Sequence, residues 1–161
     1  MSTGLPIDLY SPDQLSVLML ELYKHTEALR NNRARTRVTK KSDSTPPVTA
    51  LLLEVLKEFD ISVDDLTAAE QLLPKLELIR SKALVVHVIL ATPPNEDLRH
   101  QITQWFRTEI HPLLFLTFAA RRDIGGGMLL RAGSHQYDFS FRKQLLDNKA
   151  KISEIFIRLQ S

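Results

Sequence analysis

The stretch that decides the fold is Gly126-Gly-Met-Leu-Leu-Arg-Ala-Gly-Ser-His-Gln-Tyr-Asp-Phe-Ser-Phe-Arg-Lys-Gln-Leu145. It reads as one continuous device. The glycine pair frees the chain into a short apolar strand, Met128 to Arg131. Ala132-Gly133-Ser134 makes a tight turn, because glycine accepts positive φ without steric cost. A second short strand, His135 to Tyr137, returns. Asp138 or Ser140 then caps a helix, since a short oxygen side chain accepts from the unpaired N–H groups of a first turn. The pattern describes a scaffold that aims a helix.

Downstream, that helix is expected from Ser140 to about Leu159, with Phe141, Leu145, Ile152, Ile155, Phe156 and Leu159 on a broad apolar stripe. At 1.5 Å per residue it would span roughly 30 Å, far more than the short strands before it. Its last turns should therefore overhang the sheet, and the apolar residues there need cover from the N-terminal helices or another protein.

Upstream, Ala83-Leu-Val-Val-His-Val-Ile-Leu-Ala91 is rich in branched residues and reads as a strand. Leu84, Val86, Val88 and Leu90 share one side; Val85, His87, Ile89 and Ala91 share the other. Pro93-Pro94-Asn95 leads into a helix to about Ile110, and Leu113 to Ala119 makes another strand. Strand, helix, strand at this spacing predicts a parallel crossover, with the two later strands in the same sheet.

The first 80 residues read as helical. Ser11-Pro12-Asp13 is a strong helix start, and apolar residues follow at Leu15, Leu18, Met19, Leu22, Tyr23 and Leu29, to an end near Asn31 or Arg33. Pro46-Pro47 opens a second helix through Phe59. Ser62-Val-Asp-Asp65 resembles a capping box for a third, which Pro74 should kink or break at Leu73. The expected fold class is α+β: a helical module over residues 1–80, with about three helices and a basic linker at 33–46, then a small four-stranded βαββ-type domain over 82–161 with an overhanging final helix.

Composition narrows function. Hydrophobic residues make up 43% and charged residues 25% of the 161, ordinary for a globular chain. The net charge of +2 and pI near 9.0 are too mild to argue for nucleic acid. With no cysteine, disulfides, thiolate chemistry and Cys-built metal sites are excluded. No basic-then-apolar leader opens the chain and no apolar run is long enough to span a bilayer, so a soluble intracellular protein is expected. The cluster Arg30, Arg33, Arg35, Arg37, Lys40, Lys41 lacks interleaved aromatic residues for base stacking, and reads as a helix end followed by a solvated linker.

Candidate chemistry is thin. Gly125-Gly126-Gly127 precedes a strand rather than a helix and lacks a following Gly-Lys-Ser/Thr, so a turn is favoured over a phosphate cradle. His25, His87, His100, His111 and His135 form no helical ligand pair. His87 and His135 sit on expected strands where they would neighbour each other across the sheet. Asp123 and Asp138 flank the strand pair and offer two carboxylates, but turn and capping roles account for them. No catalytic, cofactor-binding or metal-ligating residues are assigned.

With those residues laid out, the segment from about Lys82 to Ile157 resembles the C-terminal domain of the delta subunit of F-type ATP synthases, the oligomycin-sensitivity-conferring protein family. The pattern is carried by Gly126-Gly127, Met128-Leu129-Leu130, Arg131, Gly133, Tyr137-Asp138-Phe139-Ser140, Arg142 and Leu145. It departs from the family at Arg121, where an Asp is usual, at Gly125, where an Ile or Leu is usual, and at Phe139, where glycine is frequent. The family's six-helix N-terminal bundle is replaced by about three helices. The resemblance implies a non-catalytic stator subunit of the peripheral stalk, without cofactor, serving proton-driven ATP synthesis from the cytoplasmic face of the inner membrane without inserting into it. It implies two partners, the C-terminal end of the b subunit and the N-terminal segments of the alpha subunits, and no nucleic acid. The stripe Ile152, Ile155, Phe156 and Leu159 is the expected contact with the stalk. Competing readings are a small basic α/β RNA-binding module, an enzyme using the Gly125–Gly127 loop, and an unrelated adaptor.

Overall fold

A computed structural model describes residues 5–39 and 47–148. Its elements are helices α1 (Pro12–Thr39), α2 (Ala50–Glu58) and α3 (Leu66–Lys82), strand β1 (Val85–Leu90), helix α4 (Glu96–Glu109), strand β2 (Phe115–Ala120), a 3-10 turn (Arg122–Ile124), strands β3 (Gly127–Ala132) and β4 (His135–Ser140), and helix α5 (Phe141–Asp147). The class is α+β, as the sequence predicts. The described residues divide into two compact units: one takes those up to Leu84 together with His100–Phe115, the other Val85–Arg99 and those from Leu116 to Asn148.

In the first unit α1 packs on α3 and, less extensively, on α2. Leu15, Leu18, Leu22 and Leu29 fall three, four and seven residues apart, which places them on one face, and all are buried. Each such leucine contributes about 1.5–3 kcal/mol by leaving water. Leu52, Val55 and Leu56 of α2 and Ala69, Leu72 and Leu76 of α3 complete this core. Tyr23, expected on the apolar face, is instead 52% exposed.

Four sequence expectations for the helices change. Helix α1 continues to Thr39, past the end near Asn31 or Arg33 read from sequence; at that expected end Arg30 reaches Glu70 on α3 at 2.6 Å, and Arg33 donates to the Asp64 carbonyl at 3.4 Å. Helix α2 is opened by Thr49, not by the proline pair: the Thr49 Oγ1 accepts from the Leu52 N–H, while Glu21 of α1 accepts from both its N–H and its hydroxyl. Helix α3 is capped by Asp65, which accepts from Thr67 and Ala68 N–H groups at 3.0 and 3.1 Å, rather than by Ser62. Pro74 does not break α3. Leu72 and Leu76, on either side of it, are both fully buried, and their burial outweighs the roughly 3 kcal/mol that an interior proline costs.

The same unit ties down the start of the described chain. Arg107 of α4 donates to the carbonyls of Leu5, Pro6, Leu9 and Leu114. His100 Nε2 lies 2.6 Å from Asp8 Oδ1. His25 is buried on α1; its Nε2 is 2.8 Å from the Val63 carbonyl oxygen, and its Nδ1 is a buried atom without a partner.

The second unit is a four-stranded sheet of order β2-β1-β3-β4. The Phe115 N–H donates to Leu84 O and the Arg121 N–H to Leu90 O, so both strands advance by six residues in one direction. Strands β1 and β2 are therefore parallel, as the crossover predicts. Strand β3 is antiparallel to both β1 and β4, which makes the sheet mixed. Strand β4 runs to Ser140, three residues beyond the Tyr137 end read from sequence, because the ladder continues through Leu129↔Asp138, Met128↔Phe139 and Gly127↔Ser140. Helix α5 is described to Asp147; the long final helix expected to reach Leu159, with its stripe Ile152, Ile155, Phe156 and Leu159, lies outside the described residues beyond that point. Among the described residues no helix is long and apolar enough to cross a membrane.

Candidate functional site

The quoted stretch builds one interlocked corner in the second unit. The 3-10 turn ends at Gly125, whose φ of 68° puts it in the left-handed region. Two glycines follow with different steric reasons. A Cβ on Gly126 would stand 2.6 Å from the Phe141 ring. A Cβ on Gly127, at φ 76°, would stand 2.4 Å from the Phe139 carbonyl oxygen and 3.1 Å from the Ser140 Cα. Gly127 thus admits the backbone of β4, whereas Gly126 admits a side chain. The Phe141 N–H donates to Gly126 O at 3.0 Å and carries the pairing one step past β4 into α5.

The capping question left open by the sequence divides between both residues. Ser140, 2% exposed, is the cap: its Oγ accepts from the Lys143 N–H at 3.3 Å. Asp138 shapes the entry, since its Oδ1 accepts the Ser140 N–H at 2.9 Å. Gly133 takes a φ of 57° at the first position of the two-residue β3–β4 turn. Arg142 lies in the first turn of α5, and Leu145 lies further along that helix.

A cleft of about 320 Å³ opens beside this corner, lined by residues that include Arg121, Asp123, Gln136, Asp138, Arg142 and Lys143. The structure thus brings together Asp123 and Asp138, which the sequence places only at the flanks of the strand pair. The hydrogen bond from Arg121 holds Asp123 below the usual carboxylate range. The hydrogen bonds from Ser140 hold Asp138 low, with Lys143 and Arg142 adding to the effect. A general acid needs a carboxyl raised toward neutrality. Both carboxylates are shifted the other way, Asp123 by its bond from Arg121 and Asp138 by its bonds from Ser140, which argues against a general-acid role for either.

His87 and His135 do not neighbour each other. The register pairs His87 with Arg131 and Arg131 with Gln136, whereas His135 pairs with Ala132 and so with Val86. Residues paired across strands share a face and adjacent rows alternate, so the two histidines lie on opposite faces. The His87 ring is bonded to Thr117 on β2. The Nδ1 of His111 accepts the Leu113 N–H at 3.1 Å. Among the described residues no three His, Asp or Glu side chains gather as a metal site requires.

Two features escape the sequence reading. The carbonyl clamp of Arg107 has no local signal, because three of its four acceptors, the carbonyls of Leu5, Pro6 and Leu9, lie about a hundred residues upstream. The exposed row His135, Tyr137, Phe139 does carry one, a period of two within the quoted stretch, but there the run from Asp138 reads as a helix entry. Comparison with models of known protein families finds no match, and none of the curated proteins matches the chain significantly.

Proposed function

We propose that this chain is a non-catalytic stator subunit of an F-type ATP synthase, filling the role of the delta subunit. It would link the catalytic head to the end of the membrane-anchored b-subunit stalk, peripherally on the cytoplasmic side. Its work would be mechanical. By holding the head against rotor torque, it lets proton flow drive conformational change in the head instead of spinning it.

The observation that carries this reading is the spaced motif and the use the fold makes of it. Gly126, Gly127, Asp138 and Ser140 all act in one corner that sets where α5 leaves the sheet. The order strand, helix, strand, strand, strand, helix also accords with the family's C-terminal domain. In the basic cluster, Arg30 is engaged by Glu70 and Arg33 by the Asp64 carbonyl, which weakens the competing RNA-binding reading.

The test is co-purification of the tagged chain from its native membrane, with partners identified by mass spectrometry. Recovery of ATP synthase b and alpha subunits is expected, and Ile155→Asp with Phe156→Asp should deplete the b subunit. Recovery of RNA or an unrelated complex without those subunits refutes the stator reading. Undiminished b-subunit recovery by the double variant refutes the assigned contact.

A further inference from the structure

We propose that the outer edge of β4 is an interface with a second copy of this chain, paired antiparallel about a two-fold axis at Tyr137. This inference goes beyond the stator reading and does not depend on it.

Strand β4 ends the sheet order, with β3 on one side and no further strand beside it among the described residues. Exposed strand edges are templates for pairing, and natural sheets commonly blunt them with proline, charged side chains (lysine above all) or a bulge; β4 carries one charge, Asp138, whose carboxylate is taken up by the Ser140 N–H. The β4 sequence, His135-Gln-Tyr-Asp-Phe-Ser140, contains neither proline nor lysine, and its ladder with β3 is unbroken over six pairs. Tyr137 is 53% and Phe139 52% exposed, a large apolar presentation for two neighbours on one strand face.

The occupant follows from which backbone groups point outward. In a two-residue hairpin the pair flanking the turn, here Ala132↔His135, exchanges hydrogen bonds, and the alternation continues along the ladder. Tyr137 and Phe139 then bond to β3, whereas Gln136, Asp138 and Ser140 direct their N–H and C=O groups outward. The Ser140 N–H fits this assignment, since it is taken by the Asp138 carboxylate rather than by β3.

A second β4 must match those groups. In the register centred on Tyr137, Gln136 faces Asp138 of the other copy and the reverse, each pair exchanging both backbone hydrogen bonds. On one face the Gln136 amide meets the Asp138 carboxylate. On the other, Tyr137 meets Tyr137 on the axis, and Phe139 meets His135 on either side. The aromatic pairs are of a favourable cross-strand type, and Asp138 keeps one carboxylate oxygen, Oδ2, for the Gln136 amide, since Oδ1 accepts the Ser140 N–H. The register one step along, centred on Asp138, opposes two carboxylates and needs the Ser140 N–H that is already used. A register centred on Gln136 would pair only His135 to Tyr137 of each β4 before meeting the turn, so the Tyr137 register is the one that pairs most of the strand without opposing carboxylates.

The test uses the full chain. Sedimentation equilibrium should show a concentration-dependent dimer, and Tyr137→Lys, which sets like charges opposite each other at an exposed position, should raise the dissociation constant at least about tenfold. Because the chain has no cysteine, Tyr137→Cys gives a clean second readout. Its Cα atoms would lie about 4.5 Å apart across the axis, within disulfide range, whereas those of His135→Cys would lie about 14 Å apart. Rapid cross-linking of the first variant and none of the second is expected. A chain that stays monomeric to about 1 mM, or equal cross-linking by both variants, overturns the proposal. So does cross-linking of Tyr137→Cys that requires removal of residues 149–161, since that segment would then be the occupant.

Discussion

Replacing Arg107 with methionine should loosen the first unit by about 3 kcal/mol. The guanidinium donates from Nη1 to the carbonyls of Leu5 at 3.0 Å and Pro6 at 2.8 Å, from Nη2 to that of Leu9, and from Nε to that of Leu114 at 3.3 Å. Burial draws its pKa down to about 10, which leaves it charged at neutral pH. Methionine keeps the apolar stem and removes every donor. Pro6 O retains the Leu9 N–H at 3.1 Å, so the acceptors stranded are those of Leu5, Leu9 and Leu114, all on buried residues. An unsatisfied acceptor costs about 1–3 kcal/mol. Relief of the guanidinium's own burial keeps each at the low end, near 1 kcal/mol. The sum is about 3 kcal/mol, a melting shift of roughly 6–12 °C for a chain of this size. Arg107→Lys, with one compact ammonium that cannot reach all the acceptors, should lose about half as much. Urea unfolding followed by the fluorescence of Trp105 checks this. That side chain is the sole tryptophan, packs edge-on to Phe106 with centroids 5.0 Å apart, and lies two residues from the substitution. A loss below about 1 kcal/mol with an unchanged denaturant slope would refute the reasoning, because it would mean that those carbonyls are satisfied without Arg107.

Three further outcomes are expected. Gly127→Ala should cost about 3 kcal/mol or more, because its Cβ would strike backbone, whereas Gly133→Ala, with open space around it, should cost about 1 kcal/mol from its left-handed φ alone; paired urea titrations compare them. Pro74→Ala should stabilise α3 by about 1–3 kcal/mol, since Pro74 is exposed and its replacement restores a helical N–H; thermal unfolding by circular dichroism reads the gain. Asp138 has a folded pKa held below its unfolded value, so its contribution is full above about pH 4, the unfolded range, and is lost as pH falls through the folded value. Wild type and Asp138→Asn should therefore differ most near neutrality and converge in acid, as stability measured from pH 6 down to about pH 2 would show.

The sequence by itself determined the element order, because hydrophobic period is a local property. The spacing of Leu15, Leu18 and Leu22 made one helix, the branched run Val85 to Leu90 made one strand, and the glycines with Asp138 and Ser140 made the corner. These signals act over a few residues, through backbone sterics and the capping of unpaired N–H groups. What only the tertiary structure decided were the outcomes set by distant partners. Arg30 of α1 is paired with Glu70 of α3, forty residues on, and α3 survived Pro74 because Leu72 and Leu76 are both buried. Gly127 is required because β4 returns within 2.4 Å of where its side chain would be. His87 and His135 fell on opposite faces because register, which has a period of two, assigns faces by counting across strands. Local chemistry wrote the elements; the contacts between them, which pair residues tens of positions apart, fixed their ends, faces and edges.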